Sequence, residues 1–103
     1  MKQNNPLEIF KVESPEVQEA YAGVINSLIA LKSLNNKTKQ LIYIGMKVVV
    51  DDKNAVYYHV PMAKAAGASR NEIKETIILS LTVTGLKSIS TFLSNALEIY
   101  DNA

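Results

Sequence analysis

The 103 residues of this chain, with a mass of 11.3 kDa, are enough for one domain with one hydrophobic core. Apolar residues make up 48% and charged residues 20%, which excludes both a disordered chain and a membrane protein. The net charge is +1 and Arg70 is the only arginine, which excludes the basic surface of a nucleic-acid-binding protein. The chain has no cysteine, which excludes disulfides, zinc–thiolate sites, iron–sulfur clusters and thiolate nucleophiles.

No segment of the sequence has the pattern of a targeting or membrane-spanning element. The first six residues lack the apolar region of a signal peptide. The longest apolar stretches, Leu41–Val50 and Ile77–Leu86, are well below the ~20 residues that cross a bilayer. We therefore expect a cytoplasmic protein with neither a membrane nor a nucleic acid as its partner.

Prolines and glycines are few and scattered, which favours an all-α fold. Residues 1–13 are expected to form a loose N-terminal lead-in with one apolar cluster of Leu7, Ile9 and Phe10. The first helix is predicted to begin at Ser14-Pro15-Glu16, with Ser14 as its N-cap, and to run to about Lys32. Its apolar side chains step by three or four residues and form one stripe: Val17, Tyr21, Val24, Leu28 and Leu31.

The second helix is predicted from Lys37 to Val50, and its second half is apolar on nearly every side. A helix of this kind must be buried all round, which a small monomer achieves with difficulty, so the pattern indicates self-association. A buried strand is the alternative interpretation of Lys47–Val50, because valine favours strands.

Three more helices complete the predicted bundle. The third spans about Asn54 to Ala66, with Gly67 as its C-terminal cap and with Pro61 expected to kink or break it. The fourth runs from Arg70 to Thr84 after a capping box of Ser69 and Glu72, and the last from Lys87 to Tyr100. The sequence thus predicts an all-α, bundle-like five-helix domain over residues 1–103 that forms an oligomer.

His59 is the only histidine, and it is the side chain that titrates near neutral pH without assistance. Ala55 and Ala63 lie one turn before and after it, and Asp52 lies two turns before it on the same face. Together with Tyr57 and Tyr58, these residues predict a pocket; a structural histidine bonded across a helix interface is the alternative. No metal-ligand set and no Gly-rich phosphate loop is present in the sequence, so we expect neither a metal nor a cofactor.

From Leu34 onward the chain resembles the carboxymuconolactone decarboxylase family, which includes the AhpD-like alkylhydroperoxidases. Four segments of the sequence carry the resemblance: Thr38–Ile42, His59–Ser69, Asn71–Ile73 and Thr82–Gly85. The resemblance implies an all-α AhpD-like fold that assembles into a trimer or a hexamer.

The resemblance also identifies what this chain lacks. Peroxidase members carry Cys-x-x-Cys-x-x-x-His, and counting back from His59 places Asp52 and Ala55 at the cysteine positions. The family's relay glutamate falls at Gln40, and the glutamate of decarboxylase-like members falls at Ala55. Since alanine and aspartate cannot reduce a peroxide, alkylhydroperoxidase activity is not expected despite the family resemblance.

Two functions are left open. The first is a non-peroxidatic, oligomeric module that binds a small ligand or a partner protein at residues such as Gln40, Ala55, Tyr57 and Tyr58. The second is an acid/base enzyme, similar to a lactone decarboxylase or a hydrolase, that acts on a small carbonyl compound. In that enzyme His59 would transfer the proton, Asp52 would fix its tautomer, and Tyr57 or Tyr58 would orient the ligand.

Overall fold

The computed structural model describes residues 5–103, which are helical with no strand among them, so the all-α prediction is confirmed. They form two compact units. The first unit ends at Ser33, and the second runs from Leu34 to Ala103. The helices are α1 (Pro6–Glu13), α2 (Pro15–Ile29), α3 (Asn36–Val49), α4 (Lys53–Ala65), α5 (Arg70–Leu79), α6 (Leu81–Thr84), α7 (Leu86–Ser88), a π-helical turn (Ile89–Leu93) and α8 (Ser94–Asn102). The prediction of a single domain over residues 1–103 stays a prediction.

The first unit contains α1, where the sequence predicts a loose lead-in. That prediction is wrong for residues 6–13, and its first four residues lie outside the described part of the chain. Asn5 caps the helix, since its Oδ1 accepts a 3.0 Å hydrogen bond from the Leu7 amide, and Pro6 occupies the first turn. Asn-Pro is the same type of start signal as Ser-Pro, so the sequence contained the information.

Ser14 does not cap α2 with its side chain, which corrects the predicted role of its hydroxyl. It is the single residue between α1 and α2, and its amide donates to the Phe10 carbonyl at 2.9 Å to end α1. This double role gives Ser14 a backbone with φ −148° and ψ 70°. Phe10 and Tyr21 contact each other at a centroid distance of 6.1 Å, but neither α1 nor α2 has a buried residue.

The second unit contains the hydrophobic core. Ten apolar residues contribute buried side chains to it from α3, α4, α5, the π-helical turn, α8 and the loop before α5: Ile44, Val48, Val56, Val60, Ala63, Ala68, Ile73, Ile77, Phe92 and Ala96. The helix α3 continues to Val49, so the alternative of a strand over Lys47–Val50 is wrong. Only one face of α3 is buried, because Ile42, Met46 and Val49 are exposed.

The helix α4 begins at a cap within Asp51–Asn54, where the sequence predicts a turn or cap. Asp52 accepts a 3.2 Å hydrogen bond from the Ala55 amide, and the preceding Asp51 takes a left-handed φ of 63° in the turn. The sequence predicts that Pro61 kinks or breaks this helix. Pro61 lies inside α4, and the helix continues past it without a break. The helix ends at Ala65, and Gly67 follows as the predicted C-terminal cap, with φ 102° and with the Ala68 amide bonded to the Ala63 carbonyl at 2.9 Å.

The remaining predicted helices are present but interrupted. The capping box before α5 is confirmed, with Ser69 and Glu72 bonded reciprocally at 2.8 and 3.0 Å. Ser80 divides the fourth predicted helix into α5 and α6, and its hydroxyl donates to the Ile77 carbonyl. The last predicted helix contains the π-helical turn, a rare element that helical periodicity does not reveal.

Two glycine substitutions test these helix assignments, because they are expected to change the free energy of unfolding in opposite directions. Gly67→Ala is expected to lower the free energy of unfolding by about 1–2 kcal/mol, because φ 102° strains any residue with a Cβ. Gly23→Ala, inside α2, is expected to raise helix stability by about 0.5–1 kcal/mol. Neither added Cβ meets an atom within 4 Å, so packing does not confound the comparison. Urea denaturation followed by circular dichroism measures both; equal signs would contradict the backbone assignment.

Among residues 5–103, no helix is both long enough and apolar enough to cross a membrane.

Candidate functional site

The candidate site lies along α3 and α4, which are antiparallel neighbours joined by a short loop. On each helix, three residues spaced by three and four positions share one face. We call these six residues the α3–α4 seam: Gln40, Tyr43 and Lys47 on α3, with Asp52, Ala55 and His59 at the start of α4 and along it.

His59 and Gln40 form the central contact of the seam. Nδ1 of His59 lies 2.8 Å from Oε1 of Gln40. Because an amide oxygen only accepts hydrogen bonds, the contact assigns the proton of a neutral imidazole to Nδ1. Nε2 then has a lone pair that is available to accept a hydrogen bond or a proton.

Two tyrosine rings flank the imidazole. The Tyr43 ring lies against it with a centroid distance of 4.3 Å, and the Tyr58 ring meets it edge-on at 5.8 Å. Tyr58 is largely exposed, whereas His59 and Tyr43 are half-buried. The imidazole is therefore fixed between aromatic rings while part of it remains accessible to solvent.

The electrostatic environment favours the neutral imidazole. Burial lowers the pKa of His59 below its ordinary value of 6.5, and the positive charge of Lys47 lowers it further. At neutral pH, His59 is consequently a hydrogen-bond acceptor and a proton acceptor at Nε2 rather than a cation.

The hydrogen bonds and the ion pair of Asp52 go to residues other than His59, although the two were predicted to act together. Its carboxylate accepts hydrogen bonds from the Ala55 amide at 3.2 Å and from Nζ of Lys47 at 3.1 Å. The Ala55 bond, followed by the Lys47 bond, holds the pKa of Asp52 below its ordinary range. Asp52 therefore caps α4 and pairs with Lys47, while Gln40 is the residue that fixes the tautomer of His59.

Tyr57 lies on a different face of α4 from His59. Its hydroxyl donates to the Thr91 carbonyl at 3.4 Å and accepts from Nδ2 of Asn95 at 3.2 Å, and its ring packs against Phe92. The structure therefore brings Gln40 and Tyr58 to the imidazole and gives Tyr57 partners in the π-helical turn and α8. A ligand-binding role for Tyr57 stays a prediction.

Sequence reasoning missed Tyr43 and Lys47 as members of the site. The signal for them is the spacing 40, 43, 47, which places both on the helix face of Gln40. Lys47 lies 5.6 Å from the centroid of the Tyr43 ring, so it adds a positive charge at the Asp52 end of the seam.

Two depressions border α3 without including the imidazole. An apolar groove of about 300 Å³ between α3 and α5 is lined by Leu41, Ile42, Gly45, Val49, Thr76, Leu79 and Ser80. An open depression of about 620 Å³ is lined by Val50–Asn54, which includes Asp52. Within residues 5–103, no group of three or more histidine and acidic side chains is arranged to hold a metal ion.

Comparison with known proteins agrees with this architecture. The chain is similar to the crystal structure of a proposed carboxymuconolactone decarboxylase from Burkholderia xenovorans LB400, with a TM-score of 0.88 and 22% sequence identity. The superposition covers 97% of this chain and 78% of that one, which confirms the fold. No curated protein matches the chain. The sequence profile of the carboxymuconolactone decarboxylase family matches residues 15–97. The chain therefore belongs to the carboxymuconolactone decarboxylase family, as a member without cysteine.

Proposed function

We propose that this protein is a cytoplasmic, oligomeric and non-peroxidatic member of its family that binds a small polar ligand at Nε2 of His59. The observation that supports the proposal best is the 2.8 Å bond between Nδ1 of His59 and Gln40. That bond uses one ring nitrogen and leaves the other as an acceptor on a partly exposed ring.

The surroundings of the imidazole favour a particular ligand chemistry. A neutral Nε2 accepts a hydrogen bond from a hydroxyl, an enol or an acid. The rings of Tyr43 and Tyr58 favour a flat ligand, since flat groups stack on aromatic faces or meet their edges. Lys47 and Asp52 are paired at 3.1 Å and make their end of the seam polar, which favours a ligand with a polar group there.

Thiol chemistry has no basis in this site. The positions that the resemblance assigns to the two cysteines hold Asp52, which caps α4, and Ala55, whose amide donates to that cap. Neither residue has a sulfur atom that can attack a peroxide or resolve a sulfenic acid. Peroxide reduction is accordingly not part of the proposal.

A second candidate function is general acid/base catalysis by His59 on a small carbonyl compound. Two observations favour it. The bond to Gln40 fixes the tautomer of His59, and burial together with Lys47 lowers its pKa. An imidazole in this state can take a proton at Nε2, which typically contributes 10²–10⁴-fold in rate.

Self-association is the other part of the proposal, as a trimer or a hexamer. Among the described residues, the exposed large apolar side chains outnumber those in the core. Such a surface indicates that a further molecule covers part of it.

A thermal-shift measurement with 4-hydroxybenzoate tests ligand binding, because this probe is flat and has both a hydroxyl donor and a carboxylate. At ten times its Kd, a ligand stabilises the folded state by about 1.4 kcal/mol, which raises the Tm by roughly 5–10 °C. We expect this rise for the native chain and a clearly smaller one with benzoate, which lacks the hydroxyl. His59→Ala should abolish the response.

Tyr57→Phe is the matched control, because it removes a hydroxyl that bonds to Thr91 and Asn95 rather than to the seam. It should preserve the response to 4-hydroxybenzoate. A response that persists in His59→Ala would refute the proposed site. The acid/base alternative requires, in addition, a carbonyl compound whose turnover is lost in His59→Ala.

A further inference from the structure

The hydroxyl group of Tyr43 differs from those of the other half-buried tyrosines, Tyr57 and Tyr100. The Tyr57 hydroxyl bonds to the π-helical turn and to α8, and the Tyr100 hydroxyl donates to the Ala68 carbonyl at 2.7 Å. Within residues 5–103, no group bonds to Oη of Tyr43. Since polar groups that are removed from solvent are usually hydrogen-bonded, this hydroxyl is left for a partner outside the chain, such as water or a ligand.

The ring of Tyr43 places its hydroxyl beside the imidazole of His59. The two rings contact each other with a centroid distance of 4.3 Å and an interplanar angle of 44°. Because a phenol oxygen is fixed to its ring, Oη of Tyr43 lies within one ring length of this contact. The seam therefore has a hydroxyl close to the ring that carries the open Nε2.

The two groups have complementary hydrogen-bonding roles. Nδ1 of His59 is bonded to Gln40 at 2.8 Å, so Nε2 of the neutral ring can only accept. The Tyr43 hydroxyl can donate its proton. The site thus presents one acceptor and one donor that the chain itself does not use.

This pair favours one kind of ligand group. A hydroxyl can donate its hydrogen to Nε2 while its oxygen accepts from Tyr43, whereas a ketone or an ether has no hydrogen to donate and an ammonium group has no lone pair to accept with. Both bonds strengthen as negative charge develops on the ligand oxygen, so an acidic hydroxyl fits better than an alcohol. Phenols and enols have such a hydroxyl and are flat, as the aromatic rings around the imidazole also require.

We propose that Tyr43 is a specificity-determining residue of the ligand site, and that its hydroxyl donates to the oxygen of a phenol or enol whose hydrogen bonds to Nε2 of His59. The inference rests on the proposed function. It narrows the ligand from a small polar molecule to a flat molecule with an acidic hydroxyl, and it gives the recognition of that hydroxyl to two residues rather than to His59 alone.

Tyr43→Phe tests the inference, because it removes the hydroxyl and keeps the ring against the imidazole. The dissociation constants of 4-hydroxybenzoate and of benzoate are measured by chemical-shift titration of the full chain. We expect the variant to raise the constant of 4-hydroxybenzoate at least about fivefold and to change that of benzoate less than about twofold. Since the two probes differ in one hydroxyl, the difference between them isolates its contact with Tyr43.

Two controls separate recognition from structure. Tyr57→Phe also removes a half-buried hydroxyl, one that bonds to Thr91 and Asn95, and it should leave both dissociation constants nearly unchanged. The ring proton resonances of His59 in Tyr43→Phe should titrate as they do in the native chain, because the neighbouring ring and the bond to Gln40 remain.

The other outcomes contradict the inference in distinguishable ways. Native-like binding of 4-hydroxybenzoate by Tyr43→Phe overturns this inference alone. An equal loss of affinity for both probes, or a loss accompanied by an altered titration of His59, assigns Tyr43 a structural role and overturns it as well. A native chain that binds neither probe overturns the proposed function together with this inference.

Discussion

Phe92→Ala is expected to lower the free energy of unfolding by about 3–5 kcal/mol, a large part of the 5–15 kcal/mol typical of a domain. Phe92 is 1% exposed and is the largest fully buried side chain among residues 5–103. It lies in the π-helical turn and packs against the Tyr57 ring at a centroid distance of 6.0 Å. Truncation would therefore leave a cavity at the contact between α4 and the π-helical turn.

Urea denaturation followed by circular dichroism measures this loss, and Phe10→Ala is its natural control. Phe10 is the only other phenylalanine, is half-buried and contacts Tyr21. Because it lies outside the core of the second unit, its truncation should cost less than about 2 kcal/mol. Equal losses for the two variants would contradict the assignment of Phe92 to the core.

Gln40→Glu is expected to raise the pKa of His59 by at least about one pH unit. The substitution replaces the neutral acceptor, 2.8 Å from Nδ1, with a carboxylate that stabilises the imidazolium. The ring proton resonances of His59 report this titration without ambiguity, since the chain has one histidine. Asn71→Asp adds the same charge at an exposed position of α5 outside the seam and should leave the titration nearly unchanged.

The same substitution should weaken the pH dependence that His59 gives to stability. In the native chain, the pKa of His59 in the folded state lies below 6.5, so its contribution is present above that pH and is lost as the pH falls through the folded-state pKa. In Gln40→Glu, the folded-state pKa rises back toward the unfolded value, so less stability is lost as the pH falls. An unchanged titration would show that Gln40 does not contact the imidazole in solution.

Local signals predicted most of the fold. Ser69 and Glu72 form the expected capping box, and Gly67 ends α4 in the expected backbone conformation. Where two signals compete, the sequence is ambiguous. Ser14 lies at the end of α1 and at the start of α2, and its backbone amide bonds to the Phe10 carbonyl of α1 while its hydroxyl does not cap α2. The valines before Asp51 favour a strand locally, but packing of Ile44 and Val48 in the core keeps them helical.

The candidate site was predicted only in part. The single histidine and the matching position of Gln40 identified its centre, and the structure joins the two across 19 positions of sequence. The role expected of Asp52 depended on helical spacing alone, which brings residues to one face but does not choose their partners. Lys47 and the Ala55 amide take both carboxylate oxygens of Asp52, and this competition is visible only in three dimensions.

The nitrogen spectrum of the His59 ring, recorded in the full native chain at pH 7 through long-range proton–nitrogen correlations, measures the state on which ligand binding and catalysis both depend. We predict a neutral ring with the proton on Nδ1 and an unprotonated Nε2, because Gln40 accepts from Nδ1 and because burial and Lys47 lower the pKa. A ring that carries its proton on Nε2, or a doubly protonated imidazolium at this pH, would contradict the account.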